Sequence, residues 1–205
     1  GVGAATRERV ISVLQSLGFD QIPEPQPARR GVIGLVSGEF LNPVFPTFVH
    51  HISTELARRG YLTSEVVTDR ELEPEGRCER ELEQTGVDAM IFVAGRHAEV
   101  DGDLEHYRRL HDDDKAIVLV NGAATDLDVP HIRCDEGAGA RQAVTHLIKL
   151  GHTRIGCLLG STRYVPTARF ITGYRYTLAL HGLDEPDDAI VETAFTLEAG
   201  RAGAT

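Results

Sequence analysis

Histidine and cysteine are the residue types of this sequence best suited to metal or nucleophilic chemistry. Among its 205 residues are nine histidines. His50 and His51 are adjacent, and His106 and His111 are five residues apart, so neither pair has the i, i+4 spacing of a helical metal site. The cysteines are Cys78, Cys134 and Cys157. An odd number without a CxxC motif is typical of reduced cytosolic thiols, so we expect packed side chains and no bound metal.

The glycines of this sequence do not have the spacing of known nucleotide-binding loops. The glycines around the first predicted strand are Gly31, Gly34 and Gly38, which do not fit G-x-G-x-x-G. Gly137 and Gly139 open a predicted helix, but Gln142 stands at the third position of that pattern. A P-loop and a G-x-S-x-G nucleophile turn are also missing from the sequence. The sequence therefore predicts no nucleotide cofactor and argues against an enzyme.

Apolar runs alternate with amphipathic segments from residue 31 onward, and this alternation defines the fold class. The predicted strands cover 31–37, 61–68, 87–94, 116–121, 129–135, 154–160 and 189–195. The predicted helices between them cover 44–59, 74–85, 99–112, 136–150, 166–181 and 197–205. Continuous apolar strands separated by helices predict an α/β fold, namely a doubly wound parallel sheet. Ligands of such sheets bind beyond the carboxyl ends of the strands.

The first thirty residues have a different character. Residues 6–17 predict a short amphipathic helix, with Thr6 as its N-cap. Residues 20–30 contain three prolines, which predict an extended, semi-rigid linker. A lone helix of this length is unstable in water, so we expect it to pack against another element.

Charge and hydropathy exclude several classes of protein. The formal net charge is −10, and such an acidic body repels nucleic acid unless a separate basic module makes the contact. Apolar residues make up 41% of the chain, yet no apolar run reaches the length needed to cross a bilayer. We therefore expect a globular protein of the cytoplasm that has no membrane partner.

Several segments together resemble the bacterial transcription regulators of the lactose/galactose/purine repressor family. VGAATRERVISVLQSLGF resembles the last helix of the family's helix-turn-helix headpiece, and GVIGLVSGEFLNPVFPTFVHHISTELARRGY its first core strand and helix. VDAMIFVA is similar to another strand of the family core. The most specific match is DEGAGARQAVTHLIKLGHTRIG, and ARFITGYRYTLALHGL resembles the helix that carries an effector-clamping arginine.

The resemblance implies four regions and a regulatory function. These are a remnant of the DNA-binding headpiece (1–18), a Pro-rich hinge (19–30), a complete N-terminal effector-binding subdomain (31–151) and a partial C-terminal one (152–205). The core is expected to be similar to type I periplasmic binding proteins, with a small effector, a sugar or a nucleobase, in the cleft between subdomains. A homodimer is expected to bind operator DNA as a ligand-responsive repressor, without cofactor.

The resemblance also implies seven effector-binding residues. Val44 and Phe45 fall where the family has apolar walls, although Phe45 could equally be core. Asp69, Asn121 and Asp135 end predicted strands and could bond ligand hydroxyls, or serve as caps and turn residues. The family's clamp position is occupied by Phe170, so Arg169, one residue earlier, is the expected clamp and Arg163 its competitor.

Departures from the family pattern bear on DNA binding. The recognition helix of the headpiece is absent, so no DNA-binding residue is assigned, and the Pro-rich hinge is shorter than the family's. The last strands of the second subdomain are also missing, so we expect this chain to be part of a longer regulator. The alternative is a periplasmic-type solute-binding protein of the same fold, but the helix at 6–17 followed by a linker favours the regulator.

Overall fold

The computed structural model describes residues 3–16, 30–38, 42–68, 75–122, 124 and 127–204. The chain divides into two compact units, Gly1–Arg30 and Gly31–Thr205. The helices are α1 (Ala4–Ser16), α2 (Val44–Arg58), α3 (Glu75–Gln84), α4 (Glu105–Asp112), α5 (Glu136–Lys149), α6 (Val165–Leu180) and α7 (Leu197–Gly203). The strands are β1 (Gly31–Ser37), β2 (Tyr61–Val67), β3 (Ala89–Phe92), β4 (Ala116–Val120), β5 (His131–Ile132), β6 (Cys157–Leu159) and β7 (Ile190–Glu192).

In the first unit, α1 begins two residues earlier than the sequence predicts. Thr6 is therefore not an N-cap: its amide donates to the Gly3 carbonyl oxygen at 3.0 Å, inside the first turn. The predicted linker, apart from Arg30, lies outside the described residues.

The second unit is built on a parallel sheet of five strands in the order β2-β1-β3-β4-β5. Gly31 pairs with Tyr61 on one side of β1, and Ile33 pairs with Ala89 on the other. Strands β6 and β7 form a second, parallel pair. The prediction of a parallel α/β sheet is confirmed.

Both faces of the five-stranded sheet are covered, as its continuous apolar strands require. Leu35 packs with Ile33 and Val49 of α2 on one face, whereas its neighbour Val36 packs on the other. That other face contains the larger cluster, which includes Met90, Phe92, Tyr107, Leu110 and Leu119. Because adjacent side chains of a strand point to opposite faces, one strand contributes to both clusters.

Helix α5 packs against α6 and the β6–β7 pair in a separate apolar cluster. Its core comprises Ala140, Val144, Ile155, Tyr174 and Leu178. The two helices approach closely because Gly173 has no side chain: a Cβ there would lie 2.4 Å from the Gly137 carbonyl oxygen. The predicted subdomain boundary between 151 and 152 stays a prediction, but α5, which precedes it, packs with the residues that follow it.

Several predicted elements are shorter in the structure. The strands expected over 87–94, 154–160 and 189–195 are reduced to Ala89–Phe92, Cys157–Leu159 and Ile190–Glu192. The helix expected over 99–112 begins at Glu105, because a 3₁₀ turn (Arg96–Ala98) and a loop precede it. In that loop Asp103 Oδ1 accepts a hydrogen bond from the Glu105 amide at 3.0 Å. The strand expected over 129–135 is reduced to His131–Ile132, at the edge of the sheet. Of the helices described, none is long and apolar enough to cross a membrane.

Candidate functional site

The carboxyl edge of the five-stranded sheet carries Val44 and Phe45. Phe45 packs over the end of β1: a Cβ added to Gly38 would lie 3.3 Å from its ring and 3.4 Å from Ala94 Cβ, beyond β3. Val44, at the first position of α2, is 42% exposed. The two side chains are thus placed as an apolar wall at this edge, and Phe45 is also partly buried.

Asn121 follows β4 at the same edge and adopts a left-handed backbone conformation, with φ of 68°. Its amide donates to the Ile132 carbonyl oxygen at 2.8 Å, which ties the end of β4 to β5. Asn121 therefore has a turn role, and its partly exposed side chain stays a candidate for hydroxyl binding.

His97 fixes the backbone that precedes Asn121. Its ring is fully buried, with Nε2 2.8 Å from the Val120 carbonyl oxygen and Nδ1 2.8 Å from the Tyr107 hydroxyl. Because a carbonyl oxygen only accepts, Nε2 is the nitrogen that carries a proton. Gly122 lies against this ring, since a Cβ there would come within 2.4 Å of it. The sequence analysis expected packed histidines but did not single out His97. Its position shortly after a predicted strand was the signal that could have identified it.

Asp135 and Arg169 meet at a groove of about 530 Å³ between α5 and α6. Its lining residues are Asp135, Gly137, Arg141, Arg169, Thr172, Gly173 and Tyr176. Asp135 caps α5, because its Oδ1 accepts from the Ala138 amide at 2.7 Å, while Oδ2 lies 3.9 Å from Arg141 Nη2. The groove therefore offers a carboxylate, guanidinium groups, a threonine and an aromatic ring, which suits a ligand rich in hydroxyls.

The structure also explains which side chain of α6 reaches this groove. Phe170 packs against the apolar cluster beneath α5 and α6, so the position where the family carries its clamp is part of the core. Arg169 is turned by about 100° from it, as one helical residue requires. Its Nη1 lies 3.9 Å from Glu136 Oε2, and both atoms are buried. Glu136, which the sequence did not single out, thus places an opposite charge beside Arg169, at a distance too long for a hydrogen bond.

Arg163 lies elsewhere, on the loop between β6 and α6. Its Nη2 donates to Glu99 Oε1 at 3.0 Å, and its guanidinium carbon is 5.1 Å from the centre of the Tyr164 ring. It does not line the α5–α6 groove. Asp69, the seventh predicted site residue, lies outside the described residues.

Hydrogen bonds and burial shift the pKa values of a few groups near these elements. The bidentate Arg175 guanidinium, with bonds of 2.7 and 3.0 Å, holds the pKa of Glu185 below its usual range. Burial, together with the charges of Cys157 and Glu185, raises the pKa of Tyr174 to about 12. Its hydroxyl donates to the Ile155 carbonyl oxygen at 2.8 Å. Within the described part of the chain, no group of three or more potential metal ligands occurs.

The described core consists of a parallel sheet followed by a second α/β layer, and polar groups lie at its strand ends and helix starts. This is the architecture of a ligand-binding core of the type I periplasmic-binding-protein class. Residues 30–203 match the family model described as periplasmic binding proteins and sugar binding domain of the LacI family. The chain belongs to this family. The family expected from the sequence motifs is therefore confirmed.

Two transcriptional regulators are similar to this chain along nearly its whole length. The chain is 36% identical over 213 residues to the HTH-type transcriptional regulator MalR of Streptomyces coelicolor, covering 100% of this chain and 61% of that protein. It is 27% identical over 216 residues to the HTH-type transcriptional repressor CytR of Escherichia coli, covering 97% and 58%. The chain thus spans about 60% of the length of these relatives. Both are regulators of transcription, which agrees with the expectation that the chain is not an enzyme.

Solved structures give the same fold. A CelR–cellobiose complex, a transcriptional regulator, superposes with a TM-score of 0.68 at 25% identity, covering 98% of this chain and 61% of that one. A LacI transcriptional regulator from Bacillus cereus subsp. cytotoxis superposes with a TM-score of 0.73 at 22% identity, covering 85% and 62%.

Proposed function

We propose that the protein is a ligand-responsive, DNA-binding regulator of transcription, acting as a repressor in the cytoplasm. The observation that carries this proposal is the 36% identity to a transcriptional regulator over the whole chain, including residues 1–30. Those first residues would be the end of a headpiece (1–18) and a hinge (19–30), followed by the effector core. The alternative, a solute-binding protein, has the same fold, but it leaves the similarity of residues 1–30 to a regulator unexplained.

The proposed effector is a sugar that binds beside α5 and α6 and at the carboxyl edge of the five-stranded sheet. The family model includes sugar-binding domains, and a structure of similar fold holds cellobiose. Arg169 would donate to ligand hydroxyls, because a guanidinium can bond two oxygens at once. Asp135 and Asn121, together with Asp69, would supply further polar partners, and Val44 and Phe45 an apolar wall.

The test uses the full-length protein and two measurements. Thermal shift is recorded with cellobiose, other disaccharides, pentoses, hexoses and purine bases; a ligand at 100 times its Kd stabilises the fold by about 2.7 kcal/mol. A gel shift then follows binding to the DNA upstream of the gene, with and without that ligand. We expect a sugar to bind and to change the affinity for the DNA, weakening it if the sugar is an inducer and strengthening it if the sugar is a corepressor.

Other outcomes would revise the proposal. Stabilisation by a purine base alone would replace the sugar by a nucleobase as the effector. If the full-length protein binds a sugar tightly but does not bind the DNA upstream of its gene at physiological salt, the solute-binding alternative is favoured.

A further inference from the structure

The loop between β3 and α4 contacts the loop between β6 and α6, and the two loops belong to different sheets. Glu99 and Tyr164 form an isolated antiparallel bridge, beside which the Val100 amide donates to the Arg163 carbonyl oxygen at 2.8 Å. Arg163 Nη2 also donates to Glu99 Oε1 at 3.0 Å. Backbone and side chains together therefore join the five-stranded sheet to the two-stranded sheet at this point.

The Glu99 side of the contact is anchored in the first sheet. Glu99 directly follows the 3₁₀ turn that contains His97, and its amide donates to the Arg96 carbonyl oxygen at 3.0 Å. The His97 ring is fully buried and bonded to the end of β4. Glu99 itself is 18% exposed at its side chain. The carboxylate is thus presented from a fixed backbone rather than from a long free loop.

The Arg163 side is anchored in the second sheet. Thr162, its neighbour, donates from Oγ1 to Glu192 Oε1 at 2.7 Å and from its amide to Oε2 at 3.1 Å. Glu192 is the last residue of β7, so the loop is held by the strand next to the one it leaves. Because both partners are fixed to their own sheets, their ion pair can form when the two sheets approach and must break when they separate.

We propose that Glu99 and Arg163 form a latch that holds the five-stranded sheet and the β6–β7 sheet together and sets how often the effector cleft opens. The proposal rests on the proposed function, in which a ligand binds beside α5 and α6 and at the carboxyl edge of the five-stranded sheet. It assigns Arg163 a positioning role in place of the effector clamp. Each contact that favours the closed form lowers the fraction of open protein before any ligand arrives. A partly exposed pair of this kind changes that equilibrium about two- to five-fold.

Hydrogen exchange of the Val100 amide measures this latch in the full-length protein, without any ligand. Three variants are compared with the wild type: Glu99→Gln, Arg163→Gln, and the double variant Glu99→Arg with Arg163→Glu, which exchanges the two charges. We expect each single variant to raise Val100 exchange about two- to five-fold. The charge exchange should bring it back toward the wild-type rate, and the radius of gyration in small-angle scattering should rise in the single variants.

A matched control is Arg58→Gln, because the exposed Arg58–Glu55 ion pair lies within α2. It should leave Val100 exchange unchanged. Unchanged exchange in both single variants would overturn the latch, as would a charge-exchanged protein that opens as readily as they do. Faster exchange throughout β1 and β3 would also overturn it, because the pair would then support folding rather than closure. Since no effector is used, a failed ligand screen leaves this test unaffected.

Discussion

At the scale of single residues, Arg169 lines the α5–α6 groove and is the proposed hydrogen-bond donor whose replacement tests effector binding most directly. Replacing it by alanine in the full-length protein removes the guanidinium that would bond ligand hydroxyls. Ligand oxygens left unpaired cost about 1–3 kcal/mol, so we expect a roughly five- to 150-fold loss of affinity for the sugar found in the thermal-shift screen. Isothermal titration measures this loss, and a gel shift should show unchanged DNA binding.

The control for Arg169 is Arg201→Ala, an exposed arginine of α7 that does not line the groove. It should leave sugar affinity within two-fold of the wild type. The assignment of the clamp is wrong if Arg169→Ala binds sugar normally while Arg163→Ala loses more affinity than the few-fold effect expected of a latch.

A second prediction at this scale concerns Glu185, whose pKa is lowered chiefly by the hydrogen bond from Arg175 and also by its charge. A carboxyl with a lowered pKa in the folded state adds stability above the unfolded pKa, about 4.3. That stability is lost as the pH falls through the folded pKa. Urea midpoints between pH 7 and pH 3 should therefore show Glu185→Gln less stable than wild type near neutrality, with the difference closing in acid.

Arg175→Gln provides the reciprocal control, because it removes the same ion pair from the other side. Its stability difference from the wild type should close over the same acid range. A difference that stayed constant down to pH 3 in both variants would show that the pair does not couple stability to protonation.

At the scale of elements, the close crossing of α5 and α6 depends on Gly173. A methyl group there would meet the Gly137 carbonyl oxygen and Cα, so Gly173→Ala must push the helices apart. We expect a loss of about 1–3 kcal/mol in the free energy of unfolding, typical of overpacking, measured by urea denaturation.

Gly139→Ala is the matched control on α5, because a Cβ at Gly139 would meet nothing within 4 Å. An alanine in an exposed helix favours the helix over glycine, so this variant should gain about 0.5–1 kcal/mol. Equal effects of the two substitutions would mean that the crossing does not depend on the missing side chain of Gly173.

The elements that sequence patterns predicted best are those whose pattern is local. The continuous apolar run of Gly31–Ser37 gave β1 its bounds, and the parallel pairing followed from strand–helix alternation. The prediction of a helix over 99–112 was wrong for residues 99–104. Gly102 and Asp103 favour a loop there, although the segment has an amphipathic pattern. A hydrophobic pattern reports the face a segment buries, but it does not report side-chain bonds that end a helix.

The candidate site was harder to predict because its contacts join residues far apart in sequence. Asp135 and Arg169 were both expected at a cleft, and the structure places them on one groove. Glu136, which pairs with Arg169, and Glu99, which pairs with Arg163, were missed. Their partners lie 33 and 64 positions away and are set by how the helices and loops pack, which no spacing rule describes.

At the scale of the whole molecule, an operator with two-fold symmetry calls for a protein with the same symmetry. We expect the full-length protein to sediment as a homodimer at micromolar concentration, through its first core helix, α2, and the edge near residues 74–112. His51→Glu places a charge on an exposed position of α2 and should weaken the dimer, whereas His146→Glu on exposed α5 should not. A monomer mass for the wild type would contradict this prediction.

The order of strands in the five-stranded sheet has a consequence for synthesis on the ribosome. The five described strands of that sheet lie between Gly31 and Ile132, so they are made before α6 and the β6–β7 pair. The roughly seventy residues from Ile132 to Gly203 take about 4–14 s to translate at about 5–20 residues per second. Because domains fold in microseconds to seconds, the first sheet has time to fold while the second is still being made. Helices α5 and α6 are then added to a sheet that has already folded, so the α5–α6 groove and the Glu99–Arg163 contact form after the five-stranded sheet.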